Sequence, residues 1–164
     1  MATLHIIECS PGDLRPNRSN ARTHSPKQFL QIARSITAFG FNNPVLIDAS
    51  NEIIAGHGRV LAAIELGIAS VPTVRLEHLN AAQKRAYVIA DNRLAELAGW
   101  DKETLALELQ GLAEIDLGFE LTDIGFEVAE IDLLVKPDDD QREAQEPPLP
   151  DPGCLPPITR RGDI

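Results

Sequence analysis

Cysteine is scarce in this sequence of 164 residues: there are two, Cys9 and Cys154, and they stand far apart. Two thiols so placed give no disulfide framework and cannot make a metal cluster by themselves, so both read as reduced. Long apolar runs are missing too. Nothing in the sequence is apolar enough to cross a bilayer, and Met1–Ser10 has no signal-peptide pattern, so no membrane partner is expected and the expected location is cytoplasmic. The third shortage is positive charge. The formal net charge is −10, which excludes a strongly basic nucleic-acid domain. The deficit is uneven, however: residues 1–95 carry ten Lys/Arg against seven Asp/Glu, and residues 96–164 carry five against eighteen. A local anion-binding face is therefore compatible with the first part, whereas the second would repel a polyanion.

What is present is enough apolar material, 43% of residues, for one domain with some tail. Leu4-His5-Ile6-Ile7 reads as a short strand. The Pro/Gly/Asn-rich connection from Ser10 to Asn20 is too broken for a regular element, and Arg15, Arg18 and Arg22 lie in or just after it. Ser25-Pro26-Lys27-Gln28 starts a helix, with Ser25 as cap, Pro26 at the first helical position and Gln28 closing a capping box. Phe29, Ile32, Ala33, Ile36 and Phe39 then recur at helical spacing until Gly40. His24, just before the cap, reads as a loop histidine, since no second ligand stands at metal spacing from it.

Asn43–Asp48 reads as a strand entered through proline, and Ala49–Glu52 as a hairpin turn into Ile53-Ile54-Ala55. The turn that follows, Gly56-His57-Gly58-Arg59, is the stretch on which the chain is organised. Its glycines accept backbone angles closed to other residues and let a ligand approach the main chain. A helix opening near Arg59 leaves its first amides unpaired, and Arg59 adds a cationic fork. The bland alternative is a tight strand-to-helix turn with a solvated arginine. Val60, Leu61, Ile64 and Leu66 carry the helix to Gly67, and Val71–Leu76 is a strand whose Pro72 favours its start or an edge.

Asn80 caps a helix from Ala81 to about Leu97 with Gln83 at the capping-box position. Asp91-Asn92-Arg93 sits within it, and three successive side chains spread over about 200° of helix, so they cannot all be buried. Asp101 caps a further helix to Ile115, and a weaker one runs from about Glu127 to Val135. From Pro137 onward acids and prolines replace apolar residues, and the segment reads as a disordered linker.

In this order, Asn20-Ala21-Arg22, Asn43-Pro44-Val45, Ile53 through Arg59 and Asp91-Asn92-Arg93 resemble the N-terminal domain of the ParB family over residues 3–98. The resemblance implies an α+β fold of the ParB/sulfiredoxin type, a small mixed sheet with packed helices. An acidic helical extension at 99–135 and a disordered tail at 136–164 follow, the tail looking cut off before a catalytic domain. Tyr87 through Arg93 and the closing Arg-Arg-Gly-Asp-Ile look like the branch, often phage or prophage, in which this domain precedes a DNA methyltransferase. A helix-turn-helix domain, which follows in segregation ParB proteins, is not expected, because Asp101–Val135 is acidic and lacks a basic recognition helix.

Carried over residue by residue, the resemblance places Gly56, His57, Gly58, Arg59, Asn92 and Arg93 at a phosphate or nucleotide site. Asp91 would be a Mg2+ ligand, with CTP or ATP as cofactor. A single carboxylate suffices for Mg2+ when phosphate oxygens complete its shell. His57 stands where the family has glutamate and Gly58 where it has its first arginine, which removes groups that hydrolysis and clamping would use. The chain lacks the turn cysteine of sulfiredoxins, so that activity is rejected.

Three functions remain open. The first is a DNA-associated accessory module that binds phosphate groups, attached to a DNA methyltransferase, with Arg15, Arg18 and Arg22 meeting DNA. The second is a metal-dependent nuclease or phosphotransferase with His57 as candidate general base; only Asp48, Glu52 and Asp91 offer carboxylates near the turn, and no complete catalytic constellation is seen. The third is a non-catalytic interaction domain, with a homodimer among its expected partners.

Overall fold

The computed structural model describes residues 4–135; the expected disordered tail at 136–164, and Cys154 with it, lie outside them. Among the described residues the sheet has four strands, β1 (Ile6–Cys9), β2 (Val45–Ile47), β3 (Ile53–Ala55) and β4 (Val71–Arg75), in the order β1-β4-β2-β3. It is mixed: β1 and β3 run antiparallel to their neighbours, and β2 and β4 run parallel. The first strand begins two residues later than its apolar residues suggested. Its register is set by the partner, Cys9 standing opposite Val71 and Glu8 opposite Pro72. The connection read as irregular contributes one further bridge, Arg15 to Glu52, in which the Arg15 amide donates to Asn51 O at 2.8 Å and the Ile53 amide donates to Arg15 O at 2.8 Å.

The helices are α1 (Pro26–Phe39), α2 (His57–Glu65), α3 (Ala81–Leu97), α4 (Lys102–Ala113) and α5 (Val128–Val135), with short 3-10 turns at Pro11–Asp13 and Leu121–Ile124. Local chemistry explains where they start. Ser25 Oγ accepts from the Gln28 amide, Asn80 and Gln83 form a reciprocal capping box, and Asp101 accepts from the Glu103 and Thr104 amides. Period-two alternation then divides the core. Ile53 joins Leu14, Val45, Ile47, Val60, Ala63 and Val71 on the face that α2 covers, while its neighbour Ile54 joins Val74, Leu76 and Val88 on the face that α3 covers. The helix α3 rests on that small second cluster and buries Val88 alone of its 17 residues.

The acidic segment packs back onto α1. Phe39 meets Phe119 edge to face at 4.8 Å, Gln31 Nε2 donates to Gly125 O at 3.2 Å and to Glu127 Oε1 at 2.9 Å, and Lys27 pairs with Glu127 at 3.2 Å. A polyanion approaching α1 from this side meets acids, since residues 99–135 hold one Lys against ten Asp/Glu.

Candidate phosphate-binding site

The site begins where β3 ends. Gly56 takes φ 103°, ψ 19°, a left-handed conformation that glycine enters without penalty, and this lets α2 start at once from the strand. The helix therefore opens at His57, two residues earlier than the sequence suggested. Its first internal bond runs from the Val60 amide to Gly56 O at 3.1 Å, and no side chain among the described residues caps this end. The amides of His57, Gly58 and Arg59 are thus the unpaired donors of the first turn, at the positive end of the helix dipole.

Arg59 folds back over the turn. A Cβ placed on Gly56 would come within 3.0 Å of Arg59 Nη2, and that nitrogen donates to Pro44 O at 3.2 Å. Its Nε is buried without any partner, and Arg59 enters no ion pair among the described residues. Burial pushes the guanidinium pKa down while Asp91 pushes it up, and an arginine under such opposing influences stays charged. Arg59 is thus a half-buried cation with one donor left without a partner among the described residues.

These groups line a cavity of about 210 Å3, together with Asn20, Arg22, His24 and Gln28 from the loop and first turn of α1, and Asp91 and Asn92 from α3. Arg22 Nη1 donates to Asn92 Oδ1 at 3.3 Å, and Asn92 Nδ2 donates back into its own helix at Val88 O, 2.8 Å. Asn92 therefore positions a guanidinium and has its carbonyl engaged, which leaves Asp91 as the carboxylate on the wall. His57 Nε2 accepts the Asn17 amide at 3.2 Å, so the neutral ring carries its proton on Nδ1. Burial first, and then the repulsion that two protonated rings would exert across the gap to His24, hold its pKa below the ordinary histidine value.

Other residues singled out in the sequence stand elsewhere. Arg93, one residue past Asn92 on α3, pairs with Glu96 at 3.2 Å on the outer surface and does not line the cavity. Arg15 and Arg18 are exposed on the loop before it, and of the three loop arginines Arg22 alone reaches the cavity. Asp48 is committed to the fold. Its carboxylate accepts from Ser50 N and Oγ at 2.7 Å, from the Glu52 amide at 3.0 Å and from Lys84 Nζ at 2.8 Å. Burial opposes its charged form, but these bonds outweigh burial and hold the carboxyl well below the usual carboxylate range. No three His, Cys, Asp or Glu side chains converge on a metal position among the described residues. Sequence reasoning missed Asn20, Gln28 and above all His24, whose ring lies against Gly58; a His beside a cap gives no local sign of what it will meet 34 positions later.

The fold and the turn can now be set beside known proteins. Residues 2–98 match the model of the ParB N-terminal domain. The chain belongs to the ParB N-terminal domain family. This ParB-family chain is 53% identical over 82 residues to the ParB-like nuclease domain-containing protein YnaK of Escherichia coli (strain K12), a match spanning 50% of this chain and 94% of that protein. Its fold resembles that of the C-terminally truncated chromosome-partitioning protein ParB from Caulobacter crescentus, in a crystal structure with CTP-γ-S, at a TM-score of 0.66 and 22% identity, covering 84% of this chain and 83% of that one.

Residues 103–161 match the ParB-methyltransferase HTH domain model. This corrects the expectation that no such domain follows. That expectation rested on the absence of a basic recognition helix, whereas membership of a helix-turn-helix family is carried by the apolar packing pattern, which acidic surface residues leave intact.

Proposed function

We propose that this chain is a DNA-associated accessory module of a protein that carries a DNA methyltransferase, and that it holds a nucleoside triphosphate by its phosphates at Gly56–Arg59. The observation that carries this reading is the open helix start beside a half-buried Arg59, both lining one cavity. Backbone donors, the helix dipole and guanidinium forks are what phosphoryl oxygens require. The CTP-γ-S complex of the Caulobacter protein with the same fold makes CTP the first nucleotide to try.

A cavity of about 210 Å3 suits phosphates better than a whole nucleotide. The adjoining hollow of about 440 Å3 shares Gln28, Ile32 and Arg59 with it and adds Ile36, Phe39, Phe41 and Ile124, walls on which a base and sugar can lie. Asp91 would meet Mg2+ brought in on the triphosphate, where the ion would neutralise phosphate charge. Asn92, engaged by Arg22, would not be its ligand.

The full chain should melt higher with Mg2+ and one of CTP, ATP and GTP, by about 2.7 kcal/mol at a hundredfold excess over Kd, and the gain should vanish in Arg59→Ala. No shift with any of the three would remove the nucleotide reading. DNA contact is assigned to the exposed Arg15 and Arg18 loop; removing both should reduce the salt dependence of DNA binding by about two phosphate contacts. An unchanged slope would place the contact elsewhere.

A second role is favoured by the far end of α3, where Leu94, Leu97 and Trp100 are 67%, 64% and 71% exposed. An apolar surface of this kind suits a protein partner, a second copy of the chain first. Light scattering that returns a monomer at every concentration would exclude the second copy.

A further inference from the structure

We infer that His24 is a phosphate ligand of this cavity and binds as the imidazolium, so that the anion enters together with a proton. The inference rests on the phosphate reading of the Gly56–Arg59 turn and adds to it the group that makes binding pH-dependent.

A Cβ on Gly58 would sit 3.1 Å from His24 Cε1 and 3.2 Å from His24 Nε2. The imidazole edge thus lies over the first turn of α2, in the space that any other residue at position 58 would fill. Its opposite edge is fixed, because Nδ1 is 3.1 Å from Gln28 Oε1 and an amide oxygen only accepts, so Nδ1 carries a hydrogen. In the neutral ring Nε2 is then a bare lone pair on the cavity wall, with no protein donor bonded to it among the described residues.

A phosphoryl oxygen is also an acceptor. Facing neutral His24 it meets a lone pair, and facing the imidazolium it meets an N–H that makes a charge-assisted bond. One proton therefore decides whether this atom repels the ligand or holds it.

The charged and titratable groups around the ring are Arg22 from the same loop, Arg59 and His57 from α2, and Asp91 from α3. Asp91 is the one carboxylate beside Arg22 and Arg59 in this lining, and a bound triphosphate adds negative charge that favours a positive charge on the ring. His57 takes no part. Its Nε2 already accepts the Asn17 amide.

The test is calorimetric titration of the full chain with inorganic triphosphate and Mg2+ between about pH 6 and pH 8, the range in which imidazoles change charge, in two buffers of different ionisation heat. Binding should take up close to one proton and tighten by up to about tenfold per pH unit where the free ring is neutral and the bound ring charged. His24→Gln, which keeps a neutral polar group against Gly58, should lose the uptake and bind about tenfold more weakly at the acid end and within about twofold of wild type at the alkaline end. His57→Gln should keep the uptake. Triphosphate binding with no proton uptake by the wild-type chain, or uptake that survives His24→Gln, overturns the inference and leaves the phosphate site standing. No binding of triphosphate at any pH brings down the site and the inference together.

Discussion

Replacing Gly56 with alanine probes the turn through both its backbone and its side-chain cover. The residue sits at φ 103°, where an L side chain costs roughly 1–2 kcal/mol. In a domain of this size each kcal/mol moves Tm by about 2–4 °C, so the variant should melt lower by about 2–8 °C. The new Cβ would also stand 3.0, 3.4 and 3.5 Å from Nη2, Cζ and Nε of Arg59. The guanidinium is the end of a flexible chain and can give way at small cost to stability, but it cannot do so and keep both its bond to Pro44 O and its place over the helix start. Triphosphate affinity should therefore fall at least about tenfold, equivalent to about 1.4 kcal/mol. Gly67→Ala is the matched control, because Gly67 has φ 66° and nothing within 4 Å of an added Cβ. It should lose stability and keep affinity. Circular dichroism melts and calorimetry on both variants decide the matter: a Gly56→Ala chain that melts within about 1 °C of wild type and binds equally well would refute both the left-handed turn and the folded-back arginine.

Two further outcomes follow from the surrounding bonds. Asp48→Asn should destabilise the chain by about 2–4 kcal/mol at neutral pH, somewhat below the usual cost of breaking a buried pair because Lys84 is 32% exposed. Since the folded-state pKa of Asp48 lies below its unfolded value of about 3.9, its contribution is complete above that pH and drains away as pH falls below it. Urea titrations from about pH 7 to pH 3 should thus show the variant's deficit narrowing toward acid, and a constant deficit would contradict the linkage. Arg22→Ala should weaken triphosphate binding about tenfold, as expected for losing one charge-assisted contact, while Arg93→Ala, its Glu96 pair lying outside the cavity, should stay within about twofold. Equal losses in the two variants would mean that α3 presents Arg93, not Asn92, to the site.

The features that could be read from the sequence are those whose causes lie within a few residues. The Ser25, Asn80 and Asp101 caps, the glycine stop after Phe39 and the alternation through Ile53 and Ile54 are each fixed by neighbours in the chain, and each is found in the fold. Pairing partners are not local. The parallel alignment of β2 with β4, and the register that moves β1 to Ile6–Cys9, arise only when a strand from another part of the chain arrives. The turn at Gly56–Arg59 was visible because strand, glycines and helix are contiguous, yet its depth comes from distant segments.

That difference explains the two residues about which local reading says least. Arg93 adjoins Asn92 in sequence, but one step along a helix rotates a side chain by about 100°, which is enough to send one toward the cavity and the other to the solvent. His24 shows the opposite effect. A glycine at 58 leaves a gap on the first turn of α2, Ile32 Cδ1 and the His24 ring fill it at 2.9 and 3.1 Å from where a Cβ would be, and Gln28, four residues from His24 on α1, orients that ring. A small residue in one element thus determines which side chain of another reaches the cavity. The glycine that reads as a loss of a cation at position 58 is what admits an imidazole to the cavity wall.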